Sequence, residues 1–254
     1  MNGNFDPPSE PDGAALYDRH FIVVPADTPE LLDAVHALRY QVYCVERDFE
    51  DPAQQLGGRE RDRYDAQSVH AALIAKSSGS VVGCVRLVLP ARGAAALALP
   101  IRDLLSQADR RRLDTFGRHR TAEISRYAIA KMYRRRHGES LYPDVEWDGP
   151  SGNELRRLVP HMSVGLIRGV CLVAAQHGIE NVCAAMSPPL LRLLERFGLV
   201  FERLGPLIEY HGLRQPCVAD GERLLAGMAE RHRDYYELIA HTYRGAHTQE
   251  HAVP

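Results

Sequence analysis

The alternation of apolar and polar positions divides the chain into helices and strands. Apolar residues at helical spacing predict amphipathic helices over residues 29–45 and 161–177. Apolar runs at 70–76 and 80–89 are joined by Ser-Ser-Gly, which is typical of a β-hairpin. Residues 121–131 alternate β-branched and aromatic side chains without Gly or Pro, and this pattern predicts a strand.

Shorter patterns complete the order of elements. They predict strands at 21–24 and 179–186, helices at 101–116, 188–197 and 222–243, an irregular insertion at 133–160, and one bent strand or a strand pair at 199–210. Helices that alternate with strands in this way indicate an α/β fold, in which a mixed central sheet has helices on both faces. The sequence therefore predicts a three-layer sandwich.

We expect one domain over residues 19–244. The preceding residues, 1–18, are rich in Pro, Gly, Asp and Ser, which is typical of a flexible arm. Residues 245–254 form a polar tail. No low-complexity linker divides the region between them.

Composition narrows the functional classes. The chain is 45% hydrophobic and 25% charged with a formal net charge of -2, so no basic excess indicates nucleic-acid binding. The N-terminal residues lack the pattern of a secretory signal. The longest apolar run, 162–175, is short for a membrane span and contains Arg168. We therefore expect a cytoplasmic protein without a transmembrane segment.

Cysteine and histidine spacing does not indicate a metal site. The five cysteines include no C-x-x-C pair, which favours reduced thiols over a disulfide framework or a zinc site. His36, His70 and His161 have no partner at metal-ligand spacing.

Charged residues interrupt several of the apolar elements. Glu123 and Arg126 lie inside the strand at 121–131, where an unpaired charge is costly. Three positive and three negative residues occupy such positions: Arg39, Asp62, Asp65, Arg86, Glu123 and Arg126. If they converge, each ion has a partner, and the cluster can shift the pKa of a catalytic group. Taken singly, Arg86 is more typical of a structural ion pair, and Asp62 and Asp65 of turns.

Four blocks extend this interpretation to a family. LRYQVY at 38–43, ERDRYD at 60–65, VGCVRL at 82–87 and EISRY at 123–127 resemble the autoinducer synthase superfamily. That superfamily includes N-acylhomoserine lactone synthases and N-acyl amino acid synthases and has the GNAT acyltransferase fold. The stretches RYQVYCVERDFEDP, DRYDAQSVHAALIA and VVGCVRLVLP are most similar to PEP-CTERM/exosortase system-associated acyltransferases. The resemblance covers about residues 20–210.

The resemblance implies transfer of a fatty acyl group from acyl carrier protein, or from acyl-CoA, to the amine of a small acceptor. It implies no tightly bound cofactor and no metal. The family's charged site residues match Arg39, Asp62, Asp65, Arg86, Glu123 and Arg126, with Glu123 as candidate base. Residues expected to contact substrate are Tyr43, Phe49, Ser125 and Tyr127. Residues expected to face the carrier protein or its phosphopantetheine are Arg134, Arg135, Arg136 and Gly138.

Two other functions remain open. Lactone synthases use S-adenosylmethionine and carry a tryptophan in the loop after the first helix, where this chain has Phe49. The second is a non-catalytic module that binds an acyl group or a carrier protein. In both enzymatic interpretations the thioester lies in a cleft where neighbouring strands part, with strand amides near Ser125–Ala128 at the oxyanion.

The spacing of Glu123 and Arg126 makes a structural prediction. Residues three apart in a regular strand face opposite sides of the sheet. Both side chains can enter one site only if a β-bulge lies between them.

Overall fold

A computed structural model describes residues 12–92, 97–131 and 152–240 of the chain. The helices are α1 (Asp12–His20), α2 (Pro29–Tyr40), α3 (Gln107–Asp114), α4 (Gly152–Gln176), α5 (Pro188–Arg196), α6 (Gly221–Arg231) and α7 (233–240). The strands are β1 (Phe21–Pro25), β2 (Ser68–Ala75), β3 (Val81–Val88), β4 (Thr121–Ile129), β5 (Asn181–Met186), β6 (Glu202–Arg203), β7 (Ile208–Glu209) and β8 (Leu213–Asp220). A π-helix, Gln41–Glu46, continues α2, and short 3-10 turns include Asp65–Gln67 and Pro100–Leu104.

The strands form one mixed sheet in the order β1-β2-β3-β4-β5-β8-β6, with β7 paired to β8. Neighbouring strands are antiparallel except β4 and β5, which run parallel. This parallel pairing joins only Thr121–Glu123 to Asn181–Cys183. Beyond Glu123 and Cys183 the two strands part, and the sheet opens in the middle.

Side-chain alternation along β3 shows how helices cover both faces. Val85 and Leu87 belong to the core cluster that includes the apolar face of α4, whereas Cys84 packs in a second cluster with Val35 of α2. Successive residues of a strand point to opposite faces, so α2 and α4 lie on opposite sides of the sheet. The predicted three-layer α/β sandwich is confirmed.

Part of the segment expected to be a flexible arm is helical and packed against the core. Residues 12–18 belong to α1, and Tyr17 is fully buried against α4. A Cβ at Gly165 would lie 2.3 Å from the ring of Tyr17, so only glycine allows this approach. The expectation of a flexible segment is wrong for this part of the chain, because one aromatic side chain anchors the helix in the core.

Several element boundaries differ from prediction. The helix predicted at 101–116 is the 3-10 turn Pro100–Leu104 followed by α3, and the helix predicted at 29–45 ends at Tyr40 and continues as the π-helix. Helix α4 begins at Gly152, nine residues earlier than the predicted 161, so the C-terminal part of the expected irregular insertion is helical. The region at 199–210 holds only the two-residue strands β6 and β7, and the long strand is β8. The C-terminal helix is interrupted at His232, whose φ of -143° and ψ of 76° are non-helical.

One helical stretch in the described part of the chain, Val159–Gln176, is apolar and long enough to cross a membrane, and 61% of it is buried inside the protein. A core helix passes the same test of length and composition. Helix α4 packs across β1, β2 and β3, so contact with the sheet accounts for its apolar character.

Candidate active site

The predicted β-bulge lies in β4. Arg86 pairs with Ser125 and Cys84 with Ala128, so two residues of β4 oppose the single residue between them on β3. Arg126 takes a left-handed φ of 48° at this point. The extra residue turns Arg126 to the α2 face, and the prediction is confirmed.

Six charged residues form a closed ring on that face. Arg39 Nε lies 2.5 Å from Glu60 Oε2, and Glu60 Oε1 lies 2.9 Å from Arg126 Nη2. Arg126 Nη2 is 3.0 Å from Asp62 Oδ2, and Asp62 Oδ1 is 2.6 Å from Arg86 Nη1. Arg86 Nη1 lies 2.9 Å from Asp65 Oδ1, which is 2.6 Å from Arg39 Nη1. Positive and negative groups alternate around this charge ring, which comprises Arg39, Glu60, Arg126, Asp62, Arg86 and Asp65.

Glu60 is the member that the sequence prediction missed. Its side chain is 0% exposed and bridges Arg39 to Arg126. The ring therefore holds Glu60 where we expected Glu123. The available signal was the position of Glu60 at the start of the ERDRYD block. The residue lies in a loop, however, and a charged residue in a loop does not by itself indicate a buried site.

The ring carboxyls are held in the ionised state. Burial opposes ionisation of Glu60, but hydrogen bonds and charge from Arg39 and Arg126 outweigh it and lower the pKa. The same balance of burial against Arg86 lowers the pKa of Asp62. For Asp65, burial is outweighed by the hydrogen bond from His70 and by Arg39, and the pKa falls well below its usual range.

Asp62 and Asp65 also satisfy the structural interpretation. Asp62 Oδ1 accepts a hydrogen bond from the amide of Tyr64, and Asp65 Oδ2 accepts one from the amide of Asp62. These bonds form a turn directly before β2, which places both carboxylates at the expected strand entrance. The two residues shape the backbone and complete the ring together.

A cavity of about 490 Å³ occupies the opening between β4 and β5. Its polar end is lined by Tyr43, Phe49, Glu50, Asp62, Arg86, Glu123, Ser125 and Arg126. Its apolar end is lined by Ile129, Val159, Ala184, Met186 and Leu190. The cavity thus connects a charged chamber to an apolar chamber through the opening between β4 and β5. Arg39 and Asp65 do not line the cavity; they belong to the part of the ring that lies away from it.

Glu123 is not a member of the charge ring. Its side chain lies in the cavity wall, is only 5% exposed, and accepts a hydrogen bond from the amide of Ile101 at 2.7 Å. Burial raises the pKa of Glu123 to about 8, although that hydrogen bond and the charges of Arg86 and Arg126 oppose the rise. A carboxyl with this pKa can accept a proton near neutral pH.

The four expected substrate contacts all line the cavity. Tyr43 donates a hydrogen bond to the carbonyl of Tyr127 at 3.3 Å, and its ring lies 5.2 Å from the Arg126 guanidinium carbon. Ser125 Oγ accepts from Arg86 Nε at 2.9 Å. The hydroxyl of Tyr127 donates to the carbonyl of Ser163 on α4, so it is already occupied.

The π-helix places the loop that carries Phe49. Both amides of Phe49 and Glu50 donate to the carbonyl of Tyr43, at 2.8 and 3.2 Å. These bonds fold the chain back onto the helix end and direct the two side chains to the cavity. Glu50 then lies 2.9 Å from Arg126. The expected carrier-protein contacts, Arg134, Arg135, Arg136 and Gly138, lie outside the described residues.

A second cavity of about 280 Å³ lies behind the ring, and His36, Asp65 and His70 come within 4.8 Å of one another beside it. This convergence was not expected from their spacing. Arg61 Nε is 3.1 Å from His36 Nδ1, and Arg39 Nη1 is 3.1 Å from His70 Nε2. A histidine that binds a metal through one ring nitrogen normally donates a hydrogen bond from the other. Nδ1 of His36 instead accepts a hydrogen bond from Arg61. Because Arg61 donates to Nδ1 of His36, this histidine carries its own proton on Nε2, so the cluster does not fit a metal ion.

Comparisons with known proteins agree with this geometry. Residues 38–143 match the family model of the acetyltransferase (GNAT) domain. The fold is similar to that of the AHL synthase LasI, with a TM-score of 0.53, 18% identity, and 82% of this chain and 96% of that chain covered. It is also similar to FeeM, an N-acyl amino acid synthase from uncultured soil microbes, with a TM-score of 0.52, 16% identity, and coverage of 82% and 93%.

A third similar structure is the CoA-dependent acyl-homoserine lactone synthase BjaI with MTA, with a TM-score of 0.51, 18% identity, and coverage of 89% and 90%. No curated protein sequence matches the chain. The expected GNAT-like fold is confirmed, and the domain match supports an acyltransferase of this type.

Proposed function

We propose that this protein is an N-acyltransferase that moves a fatty acyl group from a carrier-protein or coenzyme A thioester to the amine of an amino acid or similar small acceptor. The observation that carries the proposal is the position of Glu123, a buried carboxyl with a raised pKa at the point where β4 and β5 part. The charge ring beside it supplies a polar chamber for the acceptor.

The two ends of the cavity suit the two substrates. An acyl chain gains free energy from the apolar end, between β5 and α4, in proportion to the apolar surface removed from water. An acceptor ammonium is attracted to Asp62 and Glu50 at the polar end. The thioester carbonyl then lies beside β4 between the chambers. Holding the two reactants together contributes several kcal/mol, on the order of 7–11 kcal/mol in the best cases.

Glu123 performs the proton transfer. The acceptor nitrogen loses a proton to the carboxylate, directly or through water, and attacks the carbonyl carbon. A C–N bond forms, the nitrogen releases its second proton to solvent as the C–S bond breaks, and the proton held by Glu123 passes to the departing thiolate. Beyond Glu123 the β5 side of β4 has no ladder partner within the described residues, so amides between Ser125 and Ala128 are placed to stabilise the oxyanion.

The main role of the charge ring is to position the side chains that face the cavity. Arg86 and Arg126 hold Asp62 at the cavity wall. Behind them Asp65 contacts Arg86, Glu60 contacts Arg126, and Arg39 joins these two carboxylates. We infer that Arg39 and Asp65 are positioning residues, whereas Glu123, Asp62, Arg86 and Arg126 face substrate.

Lipid extracts of cells that express the protein test the proposal. We expect mass spectrometry to detect an acyl-amine species that is absent with Glu123→Gln and present with the exposed control Arg120→Gln. Consumption of S-adenosylmethionine with release of a lactone would instead identify a signal synthase. Donor binding without turnover for every thioester tested would leave only a binding module.

Three finer expectations belong to this proposal. A carrier-protein donor would meet Arg134, Arg135, Arg136 and Gly138, and the location would be cytoplasmic. The association with a PEP-CTERM/exosortase system stays a prediction from the wording of three sequence stretches. Purified acyl carrier protein and coenzyme A thioesters, compared at equal concentration, distinguish the donors.

A further inference from the structure

The arginines that line the main cavity fall into two groups. Arg63, Arg86 and Arg126 each lie within 4.0 Å of a carboxylate oxygen. Within the described ranges, Arg47 and Arg214 have no carboxylate at that distance. The cavity therefore contains two guanidinium groups whose charge no carboxylate of the described ranges neutralises by contact.

Phe49 holds these two arginines together. The Arg47 guanidinium carbon lies 5.6 Å from the centroid of the Phe49 ring, and that of Arg214 lies 5.9 Å from it. His211 lies 5.1 Å from the same ring, centroid to centroid. Cation–π contact of this kind orients a guanidinium without using its N–H donors. Arg214 spends one donor on the carbonyl of Leu213, at 3.1 Å.

The arrangement is electrostatically unfavourable unless an anion joins it. Arg214 is half-buried, and burial together with the charge of Arg47 lowers its pKa, although the charge of Glu209 opposes this change. Like charges that share a site are tolerated at functional positions, where a ligand of opposite charge completes the balance. Guanidinium forks fit the paired oxygens of a carboxylate or phosphate.

We propose that Arg47 and Arg214, oriented by Phe49, form a binding site for an anionic oxygen group of a substrate at the polar end of the cavity. The assignment rests on the proposed function for the identity of that substrate. Two sources have this chemistry: the carboxylate of an amino acid acceptor, and the phosphate of a phosphopantetheine donor. The acceptor carboxylate fits better, because its ammonium would then lie toward Asp62 and Glu50 in the same chamber.

Steady-state kinetics with matched substrates tests the site. The variants are Arg47→Gln, Arg214→Gln and the double variant, with Arg120→Gln as an exposed arginine paired to Glu180 outside the cavity. We expect the double variant to raise KM at least tenfold for amino acids and to leave KM unchanged for their C-terminal amides. A rise in KM for acyl-CoA but not for acyl-pantetheine would assign the site to the donor phosphate. Equal effects on charged and uncharged partners of both pairs would overturn the proposal.

Equilibrium binding provides a readout that needs no turnover. Calorimetry compares N-acylglycines with their amides, and acyl-CoA with acyl-pantetheine, on the parent protein and on the double variant. Selective binding of the anionic member of either pair, lost in the double variant, supports the site even if no acyl transfer is found. Absence of any such selectivity in the parent protein overturns the site, whether or not the protein is an acyltransferase.

Discussion

Glu123 and Arg126 lie on the same face of the sheet although only three positions of β4 separate them. The bulge lies between the partners of Arg86 and Cys84 and inserts one residue into β4. It reverses the alternation of side chains between the two faces, so Arg126 reaches Glu60 and Asp62. The buried carboxyl of Glu123 and the charge ring thereby border one cavity. This relationship carries the predictions that follow.

The pH dependence of turnover is the first prediction. Glu123 must be deprotonated to accept a proton, and its pKa is raised to about 8. We expect kcat/KM to rise with pH to a plateau above that value and to be about a hundredfold lower at pH 6. Glu123→Gln should lose roughly 10²–10⁴-fold in kcat and also lose this limb of the profile.

The acceptor amine also ionises, but it does so in both proteins. The difference between the two pH profiles therefore belongs to Glu123. Parallel profiles for the parent and Glu123→Gln would show that another group is the base.

Stability against pH gives the second prediction. The pKa of Glu123 is higher in the folded state than its usual value of 4.5, so its contribution to folding is fully present below about pH 4.5 and is lost as pH rises through 8. We expect the free energy of unfolding of the parent protein to fall by on the order of 1–3 kcal/mol between pH 6 and pH 9 relative to Glu123→Gln.

The ring carboxyls change stability in the opposite direction. The pKa values of Glu60 and Asp65 are lowered in the folded state, so both proteins should lose stability as pH falls below about 4. Urea titrations across the pH range separate the two effects. If the parent and the variant lose the same free energy above pH 6, Glu123 is not the buried acid described here.

The charge ring gives the third prediction. Arg39→Gln leaves Glu60 paired only with Arg126 and Asp65 paired in the ring only with Arg86, and we expect it to cost about 3–5 kcal/mol in unfolding free energy. The double variant Arg39→Gln/Glu60→Gln should cost less than the sum of its single changes, because it removes opposite charges together.

A surface pair provides the control for this measurement. Arg59 and Asp33 are 2.7 Å apart but 36% and 47% exposed, so Arg59→Gln should leave the free energy of unfolding almost unchanged. Equal losses from Arg39→Gln and Arg59→Gln would contradict the view that burial makes the ring sensitive.

The length of the apolar chamber gives the fourth prediction. Leu190 of α5 lines the apolar end, and a larger side chain there would shorten the space for an acyl group. We expect Leu190→Phe to shift the products toward shorter chains in mass spectra. Leu193→Phe, on the same helix but outside the cavity wall, should leave the distribution unchanged. No shift for Leu190→Phe would indicate that the acyl chain lies elsewhere.

The sequence predicted the parts of the site that local patterns specify. Charges inside apolar strands identified Arg86, Glu123 and Arg126, and the parity of β4 predicted its bulge. Glu60 could not be found in this way, because nothing in a loop sequence shows that its side chain will be 0% exposed. Its burial depends on Arg39 and Arg126, which are distant in sequence.

Contacts between residues distant in sequence also explain the errors in the predicted fold. Tyr17 makes a helix stable in a Pro- and Gly-rich segment through contact with α4, and local composition does not contain that contact. Strand β8 carries Pro216, which weakens a strand pattern, yet the strand pairs along its length with β5. Tertiary packing decides such elements.

The closure of the charge ring has an evolutionary consequence. Because every member contacts two neighbours of opposite sign, a change at one position removes one of the two ring partners of both neighbours. Divergence at these six sites should proceed by compensated exchanges, in which an acid and an adjoining base disappear in the same lineage. Glu123 lies outside the ring and accepts its hydrogen bond from the amide of Ile101, so it is free of that coupling.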